Sequence, residues 1–545
     1  MKLNRIIKPL ADEKGVMLVV GILLVAVLAI LGTTALLNST TDLKISGNYR
    51  SGEEVLYAAE AGAEYGVNRL RAALKVLNGS TSSVVPPTMS GFSFTTSGFL
   101  AKVGTETQKT VTKGDYAGLM AYCQNYTITS TAAKNNTNSR ATVIYNMEDQ
   151  LIPLFQFGIF YEQDLEMLPG ANMTFSGGRI HSNSDMYMYS SATLTINTRV
   201  TAAGDIYHGR KDSTVSPGTN NVMIANSSGT LKGLNFDSSS STWKEDATST
   251  WGGTVKSEDH GITSLNMPLS TSSSNPIDIL GTTDSSSLHA QSGLRIIDGT
   301  AYDKSGNVLD LTAGGTYTNP ITVTSSDFTD QRESKVMSTV QVDVSVLASN
   351  PVAMAALNDP PTGCDSGILY VSSDNITNPA VRLINGSSLP TGGLSVATNN
   401  PLYIQGDYNT DNKAAAVFSD ALTVLSNSWN DTNSASGISS RPATATTVNT
   451  AVVTGNVATA GSNYSGGVEN LIRFLENWSG QTFTYGGSLA CLWQSQQATT
   501  KWPGTGSVYN APTRNWSYNI SLSNLPPGTP RVRNLEKISW RQVTN

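Results

Sequence analysis

Charge and cysteine are scarce in this chain, and each scarcity excludes something. Only 14% of its 545 residues are Asp, Glu, Lys or Arg, against roughly a quarter in ordinary soluble domains. Lys and Arg number 35 against 41 Asp and Glu, a formal net charge of −6, so no basic footprint for a nucleic acid exists. The three cysteines, Cys123, Cys364 and Cys491, are far apart; they allow at most one intramolecular disulfide and offer no CxxC or zinc-type spacing. No GxSxG, P-loop, HExxH or GxGxxG stands in a setting that raises a familiar enzyme class. Ser, Thr, Asn and Gly dominate the middle instead, which fits an exported β-rich domain better than a cytosolic enzyme. The length suffices for a core in two or more modules.

Charge is missing altogether from Val16 to Leu37, and the first charged residue beyond that run is Asp42. About 20 apolar residues are what a helix needs to cross the hydrocarbon core of a bilayer. Ahead of the run, Lys2, Arg5, Lys8 and Lys14 outnumber Asp12 and Glu13, a flank that favours a cytoplasmic N-terminus. A cleaved signal peptide has a shorter apolar region, about 7–15 residues. This run continues into "YRSGEEVLYAAEAGAEYGVNRLRAALKVL", where Leu56, Ala59, Ala63, Val67, Leu70 and Leu74 recur at steps of three and four. That spacing predicts one apolar helical stripe. Gly62 and Gly66 beside Ala58, Ala59, Ala61 and Ala63 would let another backbone approach closely. Two readings follow: an amphipathic helix packed on its own domain, or a helix of roughly 60 residues, roughly 90 Å long, packing against other copies. A break is expected at "ISGNYRSG", residues 45–52, which holds two glycines and an Asn.

A short charged leader ending in Gly15, a hydrophobic helix at once after it, and "NYR" at 48–50 with "AAEAG" at 58–62 together resemble the PilX-type minor pilins of type IV pili. The resemblance covers about the first 75 residues. It implies a prepilin leader at 1–15, cut between Gly15 and Val16 by a prepilin peptidase that methylates the new N-terminus. It also implies a retained helix over 16–76, of which 16–37 is first an inner-membrane anchor and then filament core. Val20, Ala59, Gly62, Ala63 and Gly66 become the expected filament-packing positions. Two departures stand out: Val16 occupies a place usually held by Phe or Met, and Val20 stands where most pilins carry Glu. In the family that Glu pairs with the N-terminus of the subunit already in the filament, a compensation that makes a buried carboxylate tolerable. A subunit without it suits a tip or initiating place.

Residues 77–150 read as a small pilin-like strand region, since "YAGLMAYCQNYTITSTAAKN" and "RATVIYNMEDQLIPLFQFGIFY" alternate as strands do. Beyond it, "MTF" at 173–175 is echoed by "LTI" at 194–196 and "SDMYM" at 184–188 by "GDIYH" at 204–208, offsets of 21 and 20 residues. A period near 20 predicts stacked strand–turn rungs of a parallel β-helix or solenoid across a β-rich ectodomain at 151–460; the alternative is a β-sandwich. The low-complexity stretch near 210–290 is expected to leave the rungs as a long insertion. "GLRIIDGTAYDKSGNVLDL" predicts a hairpin turning at "DKSGN". Six of the eight tryptophans lie at or after Trp429, so 461–545 is expected to form an aromatic-rich C-terminal region. The fold class is thus mainly β with one long N-terminal α-helix.

Two clusters are candidates for chemistry. In "GDYNTDNK", Asp407, Asn409 and Asp411 alternate as an EF-hand loop begins, an oxygen set suited to calcium. Asn412 replaces the turn glycine and Phe418 the bidentate Glu, which excludes a strict EF-hand and leaves a looser calcium loop or a polar turn satisfying its own backbone. The second cluster is His181/Asp185 with Asp205/His208 on neighbouring rungs, whose carboxylates would serve glycan cleavage if they shared a cleft. The expectation is a structural protein, not an enzyme: a minor pilin-like component acting in pilus assembly and surface display. Its partners would be other pilins and minor pilins, the inner membrane, a prepilin peptidase, and an adhesin or surface ligand, with no nucleic acid. A pseudopilin of a type II secretion system and a membrane-anchored carbohydrate-binding or carbohydrate-active β-helix protein are the alternatives.

Overall fold

Helix α1 (Glu13–Leu74) opens the computed structural model, which describes residues 13–213, 218–271, 273, 275–521 and 523–543. Leader residues 1–12, including Lys2, Arg5 and Lys8, lie outside the described residues. The helix is continuous for 62 residues, about 93 Å at 1.5 Å per residue. The expected break at "ISGNYRSG" does not occur. A helical glycine costs about 1 kcal/mol without removing a hydrogen bond, and an established helix propagates cheaply across it from either side.

The second half of α1 lies on an antiparallel sheet. Its strands are β1 (Phe92–Phe94), β2 (Leu100–Thr110), β3 (Met120–Lys134) and β4 (Arg140–Pro153), joined by the C-terminal strand Arg531–Val543. Val55, Ala59, Ala63, Val67, Leu70 and Leu74 are buried there against Phe99, Ile128, Val143, Tyr145 and Met147. The predicted stripe is therefore real and faces this sheet, with Leu56 only partly buried at its edge. Arg531 pairs directly with Pro153, and the ladder runs on to Val543 opposite Thr142. Residues 154–530 thus leave and re-enter the sheet at one pair of neighbouring positions, so the whole β-rich region is inserted between two adjacent strands. The segment 461–545 is divided accordingly: most of it belongs to the insertion, and its last strand completes the helix-bearing sheet.

Within the insertion, short strands stack in parallel. β5 (Phe157–Tyr161), β6 (Leu165–Met167) and β7 (Met173–Phe175) form one turn of chain. β8 (Arg179–Ser182), β9 (Met186–Met188) and β10 (Leu194–Ile196) lie on it, followed by β11 (Val200–Ala202) and β12 (Ile206–His208). The echoes read from the sequence are true register partners: Met173 faces Leu194, and Tyr187 faces Tyr207. Parallel ladders are what stacked rungs require and what an antiparallel sandwich lacks. Alternation along each short strand buries Leu165, Met186 and Ile206 in one column and Met173, Leu194 and Val222 in another.

The chain does not climb in one direction. In the eleven-stranded sheet, Val255–Lys256, β11, β8 and β5 are followed by Leu489–Gln494, Ala451–Asn456, Ala415–Ser419, Leu394–Ala397, Ile368–Ser372 and Leu294–Ile297, with Thr300–Asp303 at the far edge. The polypeptide enters mid-stack at β5, winds outward to residue 256, crosses to the opposite end, and winds back until Leu489 lies beside Ile159. First and last turns therefore meet at a seam. The stretch 210–290 is only partly an excursion: Val222–Ala225 stacks on β10 and Val255–Lys256 on β11, and the helix Trp243–Trp251 between them buries both its tryptophans. The predicted hairpin forms, but it turns first at Asp298–Gly299, both at positive φ, and "DKSGN" makes a second turn held by Asp303. The aromatic surplus near the C-terminus fills the interior, with Phe474 5.2 Å from both Trp478 and Phe483, centroid to centroid.

Candidate functional site

Every residue from Gly15 to Arg50 is exposed, although the helix holds an 18-residue window of mean hydropathy 3.0. Met17 is 79% exposed and Val20 56%. Such a surface needs a cover, since a contiguous apolar patch of this size is not stable in water. Its threonine hydroxyls bond back to the helix's own carbonyls. Thr33 donates to the Ala29 carbonyl at 2.8 Å, Thr34 to Ile30 at 2.8 Å, and Thr41 to Leu37 at 2.7 Å. That back-bonding hides hydroxyls that would otherwise be costly in hydrocarbon or in a packed helix bundle, a signal the sequence reading passed over. Gly21 and Gly32 have nothing within 4 Å and leave the backbone open on this half.

The glycines expected to pack against other copies do something else. A Cβ on Gly62 would fall 2.4 Å from Ser130 Oγ and 2.6 Å from the Phe94 ring, and one on Gly66 2.9 Å from Phe99. Ala59 and Ala63 are fully buried on the same sheet. The close backbone approach is real, but its partner is the chain's own β-sheet, because the aromatic rings of β1 and the residues before β2 need the space. Of the expected packing positions only Val20 stays exposed. Gly15 and Val16, the expected cleavage pair, lie at the exposed start of the helix, with Val16 66% exposed. Polar contacts fasten the docked half: Ser51 Oγ lies 2.9 Å from Ser139 Oγ, Lys134 pairs with Glu54 at 2.5 Å, and Glu64 accepts from Tyr145 at 2.9 Å and Lys537 at 2.6 Å. Arg533 donates to the Leu74 carbonyl at the helix end and pairs with Asp149 at 2.8 Å.

The two rung aspartates do stack. Asp185 Oδ1 accepts the Asp205 N–H at 2.9 Å, and Asp164 Oδ1 stands in the same relation to Asp185 at 3.3 Å, so one carboxylate column caps successive turns. Tyr187 and Tyr207 stack beside it with centroids 4.9 Å apart. The histidines are not brought to these carboxylates. His181 is wholly buried between Thr201 Oγ1 at 2.8 Å and Asn183 Oδ1 at 2.9 Å, and burial pushes its pKa down to about 4, so it is neutral at pH 7. His208 Nε2 sits 2.8 Å from Asn221 Oδ1, and burial lowers it too.

In the "GDYNTDNK" loop each candidate ligand has its own protein partner. Asp407 Oδ1 accepts the Thr447 N–H at 2.8 Å, and Asn409 Nδ2 donates to the Lys413 and Asn449 carbonyls at 2.8 and 2.7 Å. Asp411 holds the Lys413 ammonium at 2.7 Å, and Asn409 and Asn412 both take positive φ. Within the turn itself, Asn409 Oδ1 also accepts the Lys413 N–H at 2.8 Å. Among the described residues no group of three or more His, Cys, Asp or Glu could hold a metal ion, and Cys123, Cys364 and Cys491 are free thiols.

Comparison with known proteins points to the helix. Residues 14–64 match the family described as PilX N-terminal. No curated protein matches. Among solved structures, the competence-associated pilin ComZ from Thermus thermophilus matches at 11% identity and a TM-score of 0.27, over 90% of this chain and 97% of that one. Residues 14–64 are thus similar to a PilX N-terminal domain, and in this chain they lie in one long helix followed by a large β-rich region.

Proposed function

We propose that this chain is a minor pilin-like component of a type IV pilus, acting in pilus assembly and surface display. The observation that carries it is the division of α1: residues 51–74 are fixed to the sheet, while 15–50 stand bare, and 16–37 of these are uncharged and apolar for about 33 Å at 1.5 Å per residue. A helix so divided anchors a domain in one setting and transfers it to another. It first lies in the inner membrane, with the positively flanked N-terminus in the cytoplasm. After cleavage between Gly15 and Val16 by a prepilin peptidase it packs among the helices of other pilins, with Gly21 and Gly32 at the close approaches. The role is association rather than catalysis. Val20 brings no carboxylate into the filament core and so needs no partner amine ahead of it, which favours a tip or initiating place.

Mass spectrometry of the mature N-terminal peptide tests the processing: a methylated Val16 is expected, and an intact Met1 overturns it. Immunogold labelling of sheared pili tests the position, with label at filament ends expected and even labelling along the shaft against it. A deletion strain should lose pili; loss of protein secretion with intact pili would favour a secretion pseudopilin.

A further inference from the structure

An open groove crosses successive turns of the inserted region, at the corner where each rung passes from the β7/β10 column to the β8/β11 column. Its volume is about 730 Å³, within the range of ligand pockets, about 300–1,000 Å³. Each turn supplies one layer of the lining: Arg179 the first, Asn197 and Arg199 the second, and Asn226, Ser227 and Thr254 the third. The loop between β2 and β3 forms one wall, through Ala117 and Gly118. Tyr518 forms another, its ring so near Gly178 that a Cβ there would fall 2.7 Å from it.

Charge distinguishes this groove from the rest of the chain. Its lining holds two arginines and no Asp or Glu, in a protein whose net charge is −6. The arginines occupy the same place on consecutive turns: Ile180 faces Val200, and the Ile180 N–H donates to the Arg199 carbonyl at 2.9 Å. Paired strands lie about 4.8 Å apart, so the two side chains start at that spacing and both reach the groove. Arg179 donates to the Asp115 carbonyl at 2.8 Å and to the Ala117 carbonyl. Those bonds fix its guanidinium without cancelling the charge. Burial, and next the charge of Arg199, pull Arg179 down to about 10. The Asp115 carboxylate, which also acts on Arg179, is itself held by Lys256 at 2.5 Å. Arg199 is exposed, and among the described residues its guanidinium has no hydrogen bond or ion pair.

This arrangement favours negative charge. Two like charges held one rung apart repel, and carboxylates placed against them accept charge-assisted, bidentate bonds. Beyond the arginines the lining offers amides. Asn197 gives its Nδ2 to Ser176, and Asn226 Oδ1 takes the Ser228 and Thr230 N–H groups. One amide oxygen and one amide nitrogen therefore remain for hydroxyls. We propose that this groove binds an acidic oligosaccharide of uronate units, with Arg179 and Arg199 taking its carboxylates and Asn197 and Asn226 its hydroxyls. None of these residues belongs to α1, so the site does not depend on the assembly role. A nucleic acid fits less well, because its affinity comes from many phosphates met at once and from bases stacked on free rings. The groove has two cations, and its Tyr518 ring is already packed on Gly177 and Gly178.

The test titrates the full chain in detergent micelles, by isothermal calorimetry, with oligogalacturonate, oligomannuronate and oligoglucuronate. The methyl esters of the same chains, uncharged but otherwise alike, and an oligothymidylate are the comparisons. At least one uronate chain should bind, and its methyl ester at least about tenfold more weakly, since hydrogen bonds to charged groups are the stronger class. Arg199→Gln, at an exposed position, should weaken binding at least about tenfold with the thermal midpoint unmoved. Lys102→Gln, which removes the same charge from the exposed strand β2, should leave binding unchanged. Silence from all the uronate chains overturns the proposal, as does equal binding of the methyl esters. Affinity that survives Arg199→Gln, or falls equally with Lys102→Gln, overturns it too. An oligothymidylate bound as tightly as the best uronate chain would overturn the saccharide in favour of a nucleic acid.

Discussion

One helix carries two kinds of surface, and they differ in the residues that matter. In the docked half, Ala59, Gly62, Ala63 and Gly66 are small because Phe94, Phe99 and Ser130 press against them. In the bare half, Val16, Met17, Leu23, Leu24 and Leu31 are large and fully offered to whatever surrounds them. Small residues on a helix report that a backbone comes close, but not whose backbone it is. Large exposed apolar residues report the opposite: their partner is not in this chain. For this protein the second signal marks the surface that we propose for assembly, while the first belongs to the domain's own core.

That contrast can be broken from either side. The largest effect is expected from Leu24→Asp at the middle of the bare run. A carboxylate there costs about 2.5–3.5 kcal/mol of membrane insertion, so membrane fractionation should show the protein lost from the inner membrane while the thermal midpoint of the folded domain stays unchanged. Next comes Gly62→Leu, whose side chain has no room beneath Phe94 and should lower stability by about 1–3 kcal/mol in urea unfolding. Gly21→Leu, with nothing within 4 Å, should leave the same midpoint unmoved and act only on pilus incorporation. Equal losses of stability from the two glycine variants would erase the distinction between the halves.

A smaller effect separates the docked helix from the inserted region by pH. Burial pushes Glu64 up, but its bonds from Lys537 and Tyr145 outweigh that and hold its carboxyl below the ordinary value of 4.5. Its contribution is therefore full above pH 4.5 and fades as pH falls through the depressed value. Glu166, which burial raises from 4.5 to about 7, works the other way, and stability is lost as pH rises across that window. Urea midpoints of Glu64→Gln and Glu166→Gln at pH 3, 5 and 8 should change in opposite senses relative to the parent. The smallest effect is expected from Lys537→Ala, because exposed ion pairs contribute about 0–1 kcal/mol; a loss above 2 kcal/mol in urea unfolding would mean that the C-terminal strand depends on it.

Much of the local structure was legible in the residues. The helical stripe at steps of three and four, the repeat of "SDMYM" in "GDIYH", and the uncharged run from Val16 to Leu37 all correspond to observed features, since each follows from periodicity along a short stretch. Residue-by-residue propensity predicts a break at "ISGNYRSG", yet the helix runs through it because helix formation is cooperative. The low-complexity stretch near 210–290 concealed Val222–Ala225 and Val255–Lys256, whose rungs are recognisable only from the strands they lie on. In the rung turns, Asp185 and Asp205 do come together, but His181 lies in the core, where burial keeps it neutral against the opposing pull of its Asn183 hydrogen bond.

Sequence alone determined that the chain has a long apolar helix with a charge-free membrane-length segment, followed by short strands of period near 20. Those properties depend on which residues recur at which spacing, and spacing survives without a fold. Tertiary structure decided what lies far apart in the chain and close in space. Arg531 returns to Pro153, so the last strand closes the first sheet; Leu489 returns to Ile159, so the stack has a seam. Hundreds of residues separate those partners, and no local pattern encodes which strand will complete an open edge. Only the unsatisfied backbone of that edge, and the apolar faces the return covers, select it.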